Sequence, residues 1–232
     1  MKSIFNSSAI IAIVSLALFT ACNKEDSSSV DQSKIWLAQT VDYDGNTGVT
    51  TASAQFRFSN AVGTLLRLDD PANLKINGQD ALYVDAFAWY AKTYTGVQDS
   101  ATFVYTDHDD NVFSNIVRVG RSVDLPAGLT TVSKSAAYDV VFQGAPVAAK
   151  ESVTVYVKES NGTDWQAWTT VAVGDTKVTL TTNKLANLNT GPGKIKIERL
   201  KLDTDGLTNN PGKGGLATSK YSSQVKDITI TN

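Results

Sequence analysis

The sequence predicts an all-β protein built from two β-sandwich domains. Three observations carry this. Apolar and polar residues alternate in short runs along nearly the whole chain. Beyond the N-terminus, no stretch holds an apolar pattern at helical spacing for three turns. Turn signals interrupt the alternation at intervals of roughly 8–12 residues, the rhythm of a sandwich or barrel.

Each element follows from that pattern. Ala54–Phe58 alternates cleanly, as do Phe103–Tyr105, Ile116–Val119, Val153–Val157, Ile195–Glu198 and Ile228–Ile230. Val, Ile, Thr and Tyr dominate these runs, and such side chains fit a pleated, half-buried surface. Asp44-Gly45-Asn46, Asn77-Gly78, Asp109-Asp110-Asn111, Asn161-Gly162 and Asp205-Gly206 supply the turns. One helical turn is expected near Lys184–Leu188.

Composition narrows the function classes. The chain has 232 residues, 42 % hydrophobic and 19 % charged, with 21 basic and 23 acidic side chains and a net charge of −2. That excludes a disordered chain and lacks the basic excess of a nucleic-acid binder. A single cysteine excludes an internal disulfide framework.

Residues 1–21 read as a secretion signal. Lys2 precedes the uncharged apolar run Ile10–Phe19, which is too short to span a bilayer comfortably. Thr20 and Ala21 then lead into Cys22, the one cysteine. This resembles the lipobox of bacterial lipoproteins, although Phe19 stands where leucine is commonest. The resemblance implies cleavage before Cys22 and its acylation, with palmitate among the chains. Removing residues 1–21 takes away one lysine and leaves a net charge of −3. Lys24, Glu25 and Asp26 resemble the surface-export signal of Bacteroidetes lipoproteins, which implies a lipid-anchored protein of the outer membrane facing the medium. Residues 22–33, with the serine run Ser27–Ser29, are expected to form a short disordered, flexible tether.

The expected domains are residues 34–121 and 129–232, joined by a Pro- and Gly-containing linker over 122–128. A single larger sandwich is the alternative. The second half resembles the immunoglobulin and fibronectin type III families in strand rhythm, so two immunoglobulin-like sandwiches are expected. No cysteine pair is available for an antibody-type domain.

Reactive chemistry has few candidates. His108, the lone histidine, lies in Tyr105–Asn111 between two strand patterns and reads as part of a polar hairpin tip rather than a general base. No Gly-x-Ser-x-Gly elbow is present. Asp107 and Asp109, with Asp110 and Asn111, and Asp203 and Asp205, with Asn209, are weak calcium candidates. The mature chain holds four glutamates, Glu25, Glu151, Glu159 and Glu198, too few and too scattered to nominate a glycosidase pair. Asn210–Gly215 lacks the pattern of a phosphate loop, and the polar stretch Asp203–Ser219 reads as a mobile surface loop.

Aromatic side chains are the remaining candidates. Trp165 and Trp168 are three residues apart, so one should enter the core and the other face outward. The outward member and Trp89 could stack on a sugar. Asp99-Ser100-Ala101 resembles the O-glycosylation site of exported Bacteroidetes proteins, with Ser100 as acceptor. The expected function is therefore a non-catalytic binding or structural lipoprotein, with no cofactor and no resident metal. Its expected partners are the membrane, reached through the anchor, and a protein or polysaccharide; nucleic acid is not among them. The alternatives are a carbohydrate-binding accessory lipoprotein of a glycan-uptake system, and a pilus-type subunit that donates its C-terminal strand, Asp227–Thr231, to a neighbour.

Overall fold

A computed structural model describes residues 24–232. The expected signal peptide, residues 1–21, and Cys22 lie outside the described residues. The fold is all-β. Its first ten strands are β1 (Lys24–Asp26), β2 (Ile35–Asp44), β3 (Val49–Phe58), β4 (Leu65–Arg67), β5 (Asn73–Ile76), β6 (Gln79–Asp80), β7 (Leu82–Val84), β8 (Trp89–Thr95), β9 (Ser100–Thr106) and β10 (Val112–Arg118). The second ten are β11 (Val123–Asp124), β12 (Thr131–Ser133), β13 (Tyr138–Val141), β14 (Gln143–Gly144), β15 (Glu151–Glu159), β16 (Gln166–Thr170), β17 (Lys177–Leu180), β18 (Gly191–Asp203), β19 (Gly215–Ser222) and β20 (Lys226–Thr231). The one α-helical turn among the described residues is Thr182–Leu185, slightly earlier than expected.

Alternation decides which side chains go inward. In β15, Val153, Val155 and Val157 are fully buried while Thr154, Tyr156 and Lys158 face outward. The same rule buries Ile35, Leu37 and Val41 of β2 and leaves Trp36, Ala38 and Thr40 on the opposite face. Turn chemistry closes the hairpins. Asn77 and Gly78 both take positive φ, 50° and 76°, the geometry of a two-residue hairpin turn.

The buried side chains form two cores. One gathers residues of β2, β3, β5, β8 and β9 around Phe56, Phe103 and Tyr105. The other gathers residues of β15–β18 and β20 around Trp168, Ile195 and Ile197. A single 12-stranded sheet backs both, in the order β1-β4-β3-β2-β19-β18-β15-β16, with β8 and β7 on β3 and with β20 and β12 on β18. The sheet β10-β9-β5-β6 closes the first core, and the pairs β11-β14 and β13-β17 contribute to the second.

The two cores are joined through strands distant in sequence. β19 runs parallel to β2, with Gly215 opposite Leu37 and Ser222 opposite Asp44. β18 is long enough to pair with β20 through Gly191–Ile195 and with β19 through Glu198–Asp203. Leu207 and Ala217, late in the chain, complete the first core.

Three expectations are corrected. The described part of the proposed tether, Lys24–Ser33, is ordered: Lys24–Asp26 pairs in parallel with Leu65–Arg67, and Ser27 is fully buried. The segment from Asp203 to Ser219 is pinned rather than free. Leu207 enters the first core, Asn115 Nδ2 donates to the Asn209 carbonyl at 2.7 Å, and the stretch ends in β19. The C-terminal strand pairs inside its own fold, antiparallel to β18 and parallel to β12, so it is not held back for a neighbour.

A largely buried ion cluster ties the connection after β10 to β15 and β18. Arg199 of β18 is fully buried and its Nη1 sits 2.7 Å from Glu151 Oε2 on β15. Arg121, in the connection after β10, places Nη2 2.7 Å from the same oxygen and also donates to the Pro146 carbonyl. Arg199 Nη2 donates to the Ala145 carbonyl. Burial opposes ionisation of Glu151, but Arg121, the Ala148 N–H and Arg199 outweigh it and hold the carboxyl below its usual range.

Removing one member leaves an uncompensated buried charge. Glu151→Ala is expected to cost about 3–5 kcal/mol by urea denaturation. Lys177→Ala, in the exposed pair with Asp139, should cost under about 1 kcal/mol. Equal, small shifts for both variants would refute the assignment.

Candidate functional site

The one Ser-His-Asp gathering among the described residues involves His108. Its turn joins β9 to β10, and Asp107 builds that turn. Asp107 Oδ1 accepts from the N–H groups of Asp109 and Asn111, both at 2.9 Å, and Oδ2 accepts from the Asn111 side chain at 3.1 Å. His108 is thereby aimed at the N-terminal segment. Its Nε2 lies 3.0 Å from Asp69 Oδ1 and 3.1 Å from Ser27 Oγ. A carboxylate only accepts, so Nε2 carries the proton.

This arrangement fastens the chain and cannot relay a proton. A triad needs the serine and the carboxylate on opposite ring nitrogens. Here both meet Nε2, which is already a donor. Ser27 Oγ itself donates to Asp69 Oδ1 at 3.0 Å and is closed to solvent. Asp69 also accepts from the Ser28 N–H at 3.0 Å and the Ser28 hydroxyl at 2.6 Å. Gln32 completes the knot by donating to the carbonyls of Ser27 and Val30. Burial works against the Asp69 charge, but the donors from Ser28, Ser27 and His108 hold its carboxyl well below the usual range.

The calcium candidates have other work. The Asp107 oxygens face backbone and side-chain donors, as above. Asp203 and Asp205 both accept from Lys150, at 2.6 and 3.1 Å. No cluster of three or more metal-ligating His, Cys, Asp or Glu occurs among the described residues.

The tryptophans separate by face. Trp168 is 4 % exposed, packs in the second core and donates Nε1–H to Thr181 Oγ1 at 3.2 Å. It is structural, which corrects its place among the sugar-stacking candidates. Trp165 is half-buried on the outer face. The ammonium groups of Lys158 and Lys196 stand 5.2 and 5.4 Å from its ring centre, and Tyr156 meets it edge-on. Cations thus already engage its π-system. Trp89 is half-buried on the outer face of β8, with the Phe87 ring 4.8 Å away.

Two outer-face aromatics escaped sequence reading. Trp36 alternates with Ile35 and Leu37, a signal that was available. Phe87, 55 % exposed, sits in the turn Asp85–Phe87, where strand periodicity says nothing. Ser100, the O-glycosylation candidate, is half-buried at the start of β9 opposite Arg118. Lys24 and Asp26 of the export-like signal are ion-paired, with Asp85 at 2.8 Å and Arg67 at 2.9 Å.

Ile116, Arg118, Lys201, Asp203 and Ser219 help line a concavity of ≈ 150 Å³ beside β19. Small-molecule pockets are usually about 300–1,000 Å³. The extended outer face of the sheet, with its aromatic groups, is therefore the stronger candidate surface.

The Asp69 knot has a pH signature. A carboxyl depressed in the folded state adds stability above its unfolded pKa, about 3.9, and that contribution fades as pH falls below it. The Ser28 amide should keep its hydrogen-exchange protection factor from pH 7 to 5 and lose it progressively as pH falls from about 4 toward the depressed range of Asp69. Asp69→Asn should loosen the segment at pH 7, with a cost of about 1–2 kcal/mol in urea. Unchanged protection in that variant would contradict the role given to Asp69.

No family model and no curated protein matches this chain. Two solved structures that match it do so at low similarity. A tetra-tandem repeat from the extending region of a large adhesion protein aligns at 14 % identity and a TM-score of 0.30, over 84 % of this chain. The chain spans about half, 49 %, of that structure's length. The two tandem V-type regions of a v-region-containing chitin-binding protein align at 8 % identity and a TM-score of 0.25, over 85 % of this chain and 99 % of that one. Similarity this low carries no argument about what the chain does.

Proposed function

We propose that the protein is a surface lipoprotein of the bacterial outer membrane, acylated at Cys22, that acts without catalysis as a binding or structural module of two immunoglobulin-like sandwiches. The observation that carries this reading is the solitary cysteine at the end of a short uncharged apolar run, preceded by Thr20 and Ala21. Each buried CH₂ of an acyl chain contributes roughly 0.8 kcal/mol, so two or three chains hold a protein in the bilayer durably.

The geometry supports a non-catalytic role. The Ser27–His108–Asp69 contacts share one ring nitrogen, and the acidic clusters are engaged by lysine and backbone donors. No helix among the described residues is long and apolar enough to cross a membrane. A lipid at Cys22 would then be the means of attachment. Lys24, Glu25 and Asp26 are assigned to surface export.

Radiolabelled palmitate should enter the wild-type protein and fail to enter Cys22→Ser, which should leave the membrane fraction. Protease added to intact cells should digest the wild-type protein. Replacing Lys24, Glu25 and Asp26 by alanine should preserve labelling and abolish that digestion, with circular dichroism confirming the fold. An uncleaved N-terminus in native protein would overturn the reading.

A further inference from the structure

We propose that the end of the first sandwich where the chain joins it rests on the bilayer surface, with Phe87 and Trp89 as the side chains that enter the lipid interface. This rests on acylation of Cys22.

Chain length sets the constraint. Two peptide steps separate Cys22 from Lys24, and fully extended residues span at most about 3.6 Å each. An acylated Cys22 therefore holds Lys24 within about 7 Å. Lys24 has no slack of its own, because it pairs opposite Leu65 in β1. Its ammonium donates to the Asp85 carbonyl at 2.7 Å and to Asp85 Oδ1 at 2.8 Å. One lysine side chain thus links the attachment point to the turn Asp85–Phe87.

That turn presents exposed apolar groups. Phe87 is 55 % exposed and its ring lies 4.8 Å from Trp89. Trp89 is paired with Val84 across the edge strand β7. Leu82, the next outward residue of β7, is 71 % exposed. Val62, three residues before Leu65, is 77 % exposed. Four charges of this end are matched, Lys24 with Asp85 and Arg67 with Asp26, which lowers the cost of bringing it to a headgroup layer; Glu25 between them stays exposed and keeps to the water side. Trp89, an apolar ring with a polar N–H edge, favours that layer, and Phe87 and Leu82 add apolar area beside it. A soluble partner would have to compete with a membrane that the anchor already holds beside the patch.

The test uses acylated full-length protein in phosphatidylethanolamine–phosphatidylglycerol vesicles containing brominated acyl chains. Tryptophan fluorescence should be quenched. Trp89→Phe should remove more than half of the quenching, and Trp165→Phe should leave it nearly intact. Phe87→Ser, at an exposed position, should weaken the quenching of Trp89 while circular dichroism stays unchanged. Mass spectrometry of Cys22 separates the two ways to fail. Acylated protein without Trp89-dependent quenching refutes this proposal and leaves the anchor standing. Unmodified Cys22 in native protein refutes the anchor, and this proposal with it. Retention on a polysaccharide matrix that is lost in Trp89→Ser would assign the patch to a sugar and overturn the membrane assignment.

Discussion

The connection that leaves the first core is held to the second by a charge cluster whose centre, Arg199 with Glu151, is closed to water. Arg199 has no exposed surface, and its partner Glu151 has almost none. Ionised groups in such a place are tolerated only when paired. Glu151 must therefore stay between Arg199 and Arg121, and Arg121 is part of the connection that leaves the first core. The connection is fixed because its guanidinium is needed to neutralise a carboxylate of the second core. Its donation to Pro146, alongside that of Arg199 to Ala145, ties the loop before β15 to the same point. The cluster's contribution is geometric. A pair of apolar side chains could fill the same space with equal stability, but it would not dictate one approach of the connection.

The shared sheet follows from the same requirement. β18 must present Arg199 opposite Val153 of β15, and its continuation to Asp203 then lies beyond the second core. That projecting half needs a partner for its backbone groups, and β19 supplies it. β19 in turn has an open edge, which β2 fills in parallel register. Ladder bonds therefore run across the boundary between the cores, and hinge bending there would break them. The outer face becomes one surface, with Trp165 near one margin and Trp89 near the other. Six strand spacings of about 4.8 Å separate β16 from β8, roughly 29 Å.

Sequence reading recovers what is local. The alternation in Val153–Val157 is a property of five consecutive residues, and it buries the valines as expected. The spacing of Trp165 and Trp168 likewise places one ring inside and one outside. What it cannot reach is pairing between distant segments. Nothing in Gly215–Ser222 names Leu37 as its neighbour, and its first five residues belong to the polar stretch that reads as loop. The serine run after Cys22 misleads for the same reason. Ser27 and Ser28 look like a solvated tether until Asp69 and His108, far along the chain, supply their hydrogen-bond partners. The residues around His108 read as a hairpin tip, as found, but its contacts are with Ser27 and Asp69, distant in the chain and outside any strand.

The missing tether changes what kind of module this is. A flexible leash over residues 22–33 would let the folded body sample many orientations and distances. Here the first described residue is already a strand, locked by β4 on one side and by Asp85 beneath its ammonium. The knot at Asp69 then prevents the next residues from peeling away. A load applied at Cys22 would enter β1 directly. β1 runs parallel to β4, so such a pull would pass along the strand direction and meet the pair's slanted hydrogen bonds largely in shear, where they must yield together. Pulling perpendicular to the strand would open them one at a time. With the anchor proposed at Cys22, directness of attachment and resistance to peeling would come from one short segment, through the β1–β4 ladder, the charges and hydroxyls around Asp69, and Val30 packed against the first core.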